Sequence, residues 1–149
     1  MTTTEPRPPT EPRPPKPRPS AVPDQDTEPY LAAALDGRLV VQRCETCGKH
    51  QLYGRAICKH CGGDVRWVDA SGRGTVASWT VIRQNHSRPW RDMLPYVVAL
   101  VDLEEGPRLM TNIVGCDPEE VSIGMPVVVR FENVSDEAAI ALFEPARAT

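Results

Sequence analysis

The chain has 149 residues, 40% of them apolar and only eight aromatic (three Trp, three Tyr, two Phe), with sixteen prolines and a formal charge of −3. That length suits one compact domain, or a small module beside one, and gives no support to a two-lobed enzyme. A near-neutral, slightly acidic chain is also a poor non-specific phosphate binder.

Ten of the sixteen prolines fall in residues 1–29, where Thr4-Glu5-Pro6-Arg7-Pro8-Pro9 recurs as Thr10-Glu11-Pro12-Arg13-Pro14-Pro15. With Val22 its only branched aliphatic residue, this stretch cannot offset its ordering entropy by burial, so it reads as a mobile polyproline II arm. A ligand for a proline-binding domain is one use for it. A soluble tether is the other, and PxxP patterns arise by composition alone in such a tract. The opening MTTTEPRPPT has no charged end leading into an apolar run, and no stretch nears the eighteen apolar residues of a membrane span. A cytoplasmic protein is therefore expected.

Order is expected to begin with a short helix over Asp26–Gly37. Thr27 can cap it, Pro29 suits the first turn, the alanines favour helix and Gly37 suits a left-handed stop. Tyr30, Leu31, Ala34 and Leu35 make an apolar face that could dock on this protein or on a partner. Arg38–Arg43 follows as a strand-like run into Cys44-Glu45-Thr46-Cys47-Gly48, and Cys58-Lys59-His60-Cys61-Gly62 precedes a second short strand, Val65–Val68.

Two copies of C-x-x-C-G ten residues apart are the sharpest signal in the chain. Two residues between sulfurs let one tight turn present both thiolates to one ion, and the following glycine permits the backbone angles that bring amides towards sulfur. Cys44, Cys47, Cys58 and Cys61 are thus expected to hold one structural zinc ion with no open coordination position. The rivals are a rubredoxin-type iron site and a pair of redox dithiols; the latter usually sits at a helix start in a βαβ unit, and none is visible here. His50 and His60 read as neighbours of the knuckles, and Cys116 reads as a buried or turn cysteine.

From Gly72 onward the β-branched runs Thr75–Gln84, Tyr96–Leu103, Arg108–Val114, Val127–Glu132 and Ile140–Phe143 read as five strands, with Glu104-Glu105-Gly106-Pro107 as a tight hairpin turn. Five strands in so short a span predict a small closed barrel, with a sandwich as the alternative. The expected organisation is an arm (1–29), a helix plus ribbon (30–70), a barrel (71–145) and a short tail (146–149). No nucleophile elbow, phosphate-cradling loop, H-E-x-x-H or dinucleotide fingerprint is present. The acidic pairs Glu104-Glu105 and Glu119-Glu120 read as solvated turns. The connection 83–95 stands out, carrying Arg83, His86, Arg88, Trp90 and Arg91; it could contact a phosphorylated cofactor or a partner protein, or be simply a long polar loop.

The order of these elements resembles the zinc-ribbon and OB-fold family of acyl-CoA-associated proteins known as domain of unknown function 35. The resemblance runs from about Tyr30 to Pro145. It rests on Leu39–Cys44, on Ser71-Gly72-Arg73-Gly74-Thr75-Val76, on Pro95–Val101 and on Gly124-Met125-Pro126-Val127. It implies a mainly β protein, with an N-terminal helix and a rubredoxin-like zinc ribbon before a five-stranded OB-fold barrel. It also implies a non-catalytic accessory subunit that binds a thiolase-fold enzyme (thiolase, acyltransferase or steroid side-chain aldolase) or an enoyl-CoA hydratase and helps form its acyl-CoA site. A contact with the CoA thioester is a possible part of that role. The four cysteines match the family's zinc ligands, and no catalytic residue carries over. Tyr30, Leu31 and Trp90 are then the expected partner anchors. A single-stranded nucleic-acid-binding protein is the competing class, because OB barrels and zinc ribbons both serve that use, but it needs a basic groove with stacking platforms. A free-standing acyl-CoA enzyme is the third.

Overall fold

The structure, a computed structural model, describes residues 23–147. The reading of the proline-rich arm falls almost wholly on residues outside that range. The elements are α1 (Glu28–Leu35), β1 (Val40–Cys44), β2 (His50–Gln51), β3 (Val65–Asp69), β4 (Arg73–Ile82), β5 (Tyr96–Leu103), β6 (Arg108–Ile113), β7 (Pro126–Asn133) and β8 (Ala139–Pro145).

The helix starts differently from expectation and stops as expected. Thr27 occupies the cap position, but its hydroxyl makes no capping bond to the helix. The carboxylate of Asp24 instead accepts from the Asp26 and Thr27 N–H groups at 3.1 and 2.8 Å, an Asx turn that lets a side chain stand in for backbone. At the other end Gly37 has φ 72°, and the N–H groups of Gly37 and Arg38 donate to the carbonyls of Ala34 and Ala33 at 3.0 and 2.9 Å. Those two bonds form a Schellman stop, which satisfies carbonyls the last turn would otherwise leave open. The helix packs on β8, β7 and β1, burying Leu31, Ala33 and Ala34.

Strands β2, β1 and β3 form a three-stranded antiparallel sheet in that order. β2 has only two residues and carries no apolar alternation; it forms because the first cysteine knuckle turns the chain back beside β1, pairing Arg43 with His50 and Gln42 with Gln51. Under this sheet two buried glutamines satisfy each other. Gln51 Nε2 donates to Gln42 Oε1 at 2.7 Å, Gln42 Nε2 donates to the Arg55 carbonyl at 3.0 Å, and Gln51 Oε1 accepts from the Lys59 N–H at 2.8 Å. Buried amides cost free energy unless paired, so this network fixes the path of the chain between the knuckles.

The remaining strands close into a barrel in the order β4-β5-β6-β8-β7, with β7 returning to β4. This resolves the barrel-or-sandwich alternative in favour of the barrel. The seam between β6 and β8 is parallel and carries a single register pair, Ile113 with Phe143. Inside lie Val76, Val97, Ala99, Val101, Leu103, Leu109, Ile113, Val127 and Phe143, and the same apolar cluster takes in Leu39, Val41 and Leu52 of the ribbon. Ribbon and barrel therefore share one core. Burial of each such Val, Leu or Phe contributes about 1.5–3 kcal/mol.

The Ser71-Gly72-Arg73-Gly74 run has a steric reason. Gly72 has φ 78°, and a Cβ there would lie 2.7 Å from Val129 Cγ1; a Cβ on Gly74 would lie 2.6 Å from the Asp102 carbonyl oxygen. β4 is thus threaded between β5 and β7 where no side chain fits. Gly74→Ala is expected to lower stability by about 1–3 kcal/mol, read as a lower denaturation midpoint with an unchanged denaturant slope.

Candidate metal centre and docking face

The two knuckles are built alike. Gly48 N–H donates to the Cys44 carbonyl at 3.0 Å and Gly62 N–H to the Cys58 carbonyl at 2.9 Å; Cys44 N–H reaches the Lys49 carbonyl and Cys58 N–H the Gly63 carbonyl, both at 2.9 Å. Gly48 and Gly62 have φ 73° and 76°, the left-handed region a side chain resists. Each knuckle turns backbone N–H groups towards its first sulfur, from Thr46 and Cys47 onto Cys44 at 3.3 and 3.4 Å and from His60 onto Cys58 at 3.3 Å.

The four sulfurs all lie within 4.8 Å of one another. Cys44 and Cys61 are 3.5 Å apart and Cys47 and Cys58 are 3.8 Å apart, too far for a disulfide. A zinc–sulfur bond of about 2.3 Å sets tetrahedral sulfurs about 3.8 Å apart, so the cage fits one zinc ion. The electrostatics point the same way. The N–H groups of Cys47 and Thr46 hold Cys44 down at about 6 despite burial. Burial pushes Cys58 up, but the N–H groups of His60 and Cys61 outweigh it and leave that thiol below its ordinary value. The Gly63 N–H favours a Cys61 thiolate, yet the sulfur of Cys44, burial and the other two thiols lift it to about 11. Four thiolates cannot share so small a space without a cation.

The 83–95 connection bends back over the outer face of β5 and β6. A 3-10 turn at Trp90–Met93 sets the Trp90 ring 5.8 Å from that of Tyr96, and Asn85 Nδ2 donates to the Tyr96 hydroxyl at 3.1 Å. The arginines expected to meet phosphate are largely occupied: Arg83 pairs with Glu119, and Arg88 with Asp92 at 3.7 Å. Arg91 is exposed, and His86 is exposed beside Gln84 at 3.3 Å. Tyr30 and Leu31 are used within the chain. Leu31 is 7% exposed, and Tyr30 packs 6.3 Å from the Trp67 ring, where burial lifts its hydroxyl to about 12. Of the expected anchors, Trp90 remains at the surface. Cys116 is pushed up by burial, then by Glu120 and Asp117, the reverse of an activated nucleophile.

Sequence reasoning missed the apolar surface beside Trp90. Two adjoining clefts of about 290 and 190 Å³ share Val98 and Met110, one continuing to Trp90 and Tyr96 and the other to Leu100 and Trp79. Met110 is 61% and Tyr53 55% exposed, and the Tyr53 hydroxyl accepts from the Met110 N–H at 3.0 Å, so ribbon and barrel both contribute. The signal was present: Tyr96–Val101 is apolar at every position, and a strand with one wet face alternates.

A four-cysteine ribbon joined to a five-stranded barrel defines a zinc-ribbon and OB-fold protein. Family models match both halves, the rubredoxin-like zinc ribbon domain of ChsH2 over residues 31–66 and its C-terminal OB-fold domain over residues 67–132. The chain belongs to this ChsH2-type DUF35 family. It is 38% identical over 101 residues to a DUF35 domain-containing scaffold protein of Methanothermobacter thermautotrophicus, covering 66% of this chain and 75% of that one. It is 40% identical over 132 residues to a "Probable enoyl-CoA hydratase alpha subunit" of Thermomonospora curvata; the match covers 88% of this chain but only 40% of the relative's length. Among solved structures, one titled Ltp2-ChsH2(DUF35) aldolase matches with TM-score 0.75 and 39% identity, covering 86% of this chain and 98% of the other. Among the described residues no helix is long and apolar enough to cross a membrane.

Cys44→Ser and Cys58→Ser are each expected to lose zinc and soluble protein together, measured by metal analysis of the soluble fraction. Zinc binding displaces thiol protons, so the ion's stabilisation should fall as pH falls, seen as a melting temperature that converges on that of chelator-treated protein in acid.

Proposed function

We propose that this chain is a non-catalytic accessory subunit that docks on an acyl-CoA enzyme and helps form that enzyme's acyl-CoA site. The partner is a thiolase-fold enzyme (a thiolase, acyltransferase or steroid side-chain aldolase) or an enoyl-CoA hydratase. The observation that carries the reading is the apolar face where exposed Met110 and Tyr53 adjoin half-buried Val98 and Trp90 across ribbon and barrel. Aromatic and methionine side chains of this kind are enriched at protein interfaces. Support comes also from the relatives, which are named as a hydratase subunit, a scaffold protein and a member of an aldolase complex.

The chain's own residues offer binding rather than turnover. The zinc is structural in this reading, with all four positions taken by sulfur, and the protein is expected to work in the cytoplasm beside its partner. The nucleic-acid alternative is less favoured, since beside the aromatic face Arg83 and Arg88 are already paired with carboxylates.

Affinity purification of the zinc-loaded chain from its native host is expected to return a thiolase-like or hydratase subunit in near-equal amount, identified by mass spectrometry. Met110→Glu should cut that recovery at least tenfold while zinc content and melting temperature stay within error. Recovery of nucleic acid or ribosomal protein instead would overturn the assignment.

A further inference from the structure

We infer that the groove between the zinc ribbon and the β5–β6 hairpin is an anion site for the phosphate groups of a nucleotide-bearing ligand. Lys49, His50, Lys59, His60 and Arg108 line a cleft of about 520 Å³, and Glu105 lines it with them. These groups come from three separated stretches of chain. Lys49 and Lys59 are the only lysines among the described residues, and His50 and His60 are two of the three histidines. In a chain that is acidic as a whole, this concentration of basic side chains in one groove is not what even scatter gives.

Of the cations in the groove, Arg108 is neutralised by Asp102, but the two lysines are available. Arg38, Arg66, Arg73, Arg83, Arg88 and Arg130 each face a carboxylate, whereas neither lysine makes an ion pair among the described residues. Arg108 is held in place by both oxygens of Asp102 at 2.7 and 3.0 Å. The backbone beneath the lysines is fixed as well. The Lys59 N–H is held by buried Gln51, and the Lys49 carbonyl receives the Cys44 N–H. Lysine meets phosphate as a point charge, so two unpaired ammonium groups on a rigid base form a receptor for it. Glu105 opposes them: one oxygen accepts the Ser71 N–H at 2.6 Å, and the other is buried without a hydrogen bond.

This deepens the accessory-subunit reading and rests on it for the ligand's source: the charged end of an acyl-CoA would sit here, away from the apolar face. The test titrates the zinc-loaded full chain by calorimetry with inorganic phosphate, adenosine 3′,5′-bisphosphate and coenzyme A, at low and high salt. Adenosine bisphosphate and coenzyme A are expected to bind, more weakly at high salt. The Lys49→Gln/Lys59→Gln variant should weaken both at least tenfold with zinc content unchanged, and Glu105→Gln should tighten both. Arg130→Ala, which removes one positive charge elsewhere, should change neither. Binding confined to inorganic phosphate, or coenzyme A binding indifferent to the double lysine variant, overturns the site. Binding with this pattern by a chain that recruits no acyl-CoA enzyme upholds the site and overturns the accessory reading.

Discussion

Four sulfurs within 4.8 Å of one another are an arrangement the polypeptide alone holds poorly, and much of the rest is organised around it. As thiolates they repel; as thiols they forgo the N–H groups aimed at them. A divalent cation resolves both conflicts. Each knuckle then fixes the end of β1 or the approach to β3, and the sheet made from those strands presents Leu39, Val41 and Leu52 to the barrel. A metal held there would act on the barrel through this shared apolar cluster.

That coupling explains how a small domain manages with few large side chains. Two phenylalanines and three tryptophans are a modest supply for 149 residues, and surface-to-volume scaling is harsh at this size. The chain compensates by joining two modest cores into one and by using alanine where α1 approaches the barrel, with Ala33, Ala34, Ala138 and Ala139 all buried. The apolar side chains turned outward, Tyr53 and Met110 exposed and Val98 and Leu100 half-buried, are therefore a large share of surface for a chain short of core.

Much of this architecture was legible from residue types. The paired C-x-x-C-G motifs announced the cage because ligand chemistry demands both spacing and glycine. Tyr96–Leu103 announced β5 to the residue because proline and acidic turn signals bound it. What escaped was set by tertiary context. β2 exists only because a knuckle returns the chain beside β1. Tyr30 looked like an interface residue because a sequence does not display Trp67 beside it. Arg83 looked free because its carboxylate, Glu119 in a distant turn, is brought near only by the closed barrel, and Arg88 because it is the turn at Trp90–Met93 that folds Asp92 back onto it. Gln42 and Gln51 carried no signal at all, since a buried amide is recognisable only by the partners that satisfy it.

The first helix lies on the last strand. α1 spans Glu28–Leu35 and packs chiefly on β8 at Ala139–Pro145, so although β1 and Trp67 offer it a partial seat early, most of the surface it rests on is made last. Contacts of such sequence separation are slow to form because loop closure precedes their reward. On the ribosome, the ribbon and most of the barrel would emerge while the face of α1 that meets β8 still waits uncovered. Completion of the fold therefore waits on β8, and a chain cut within that strand would lose the larger part of the seat of α1.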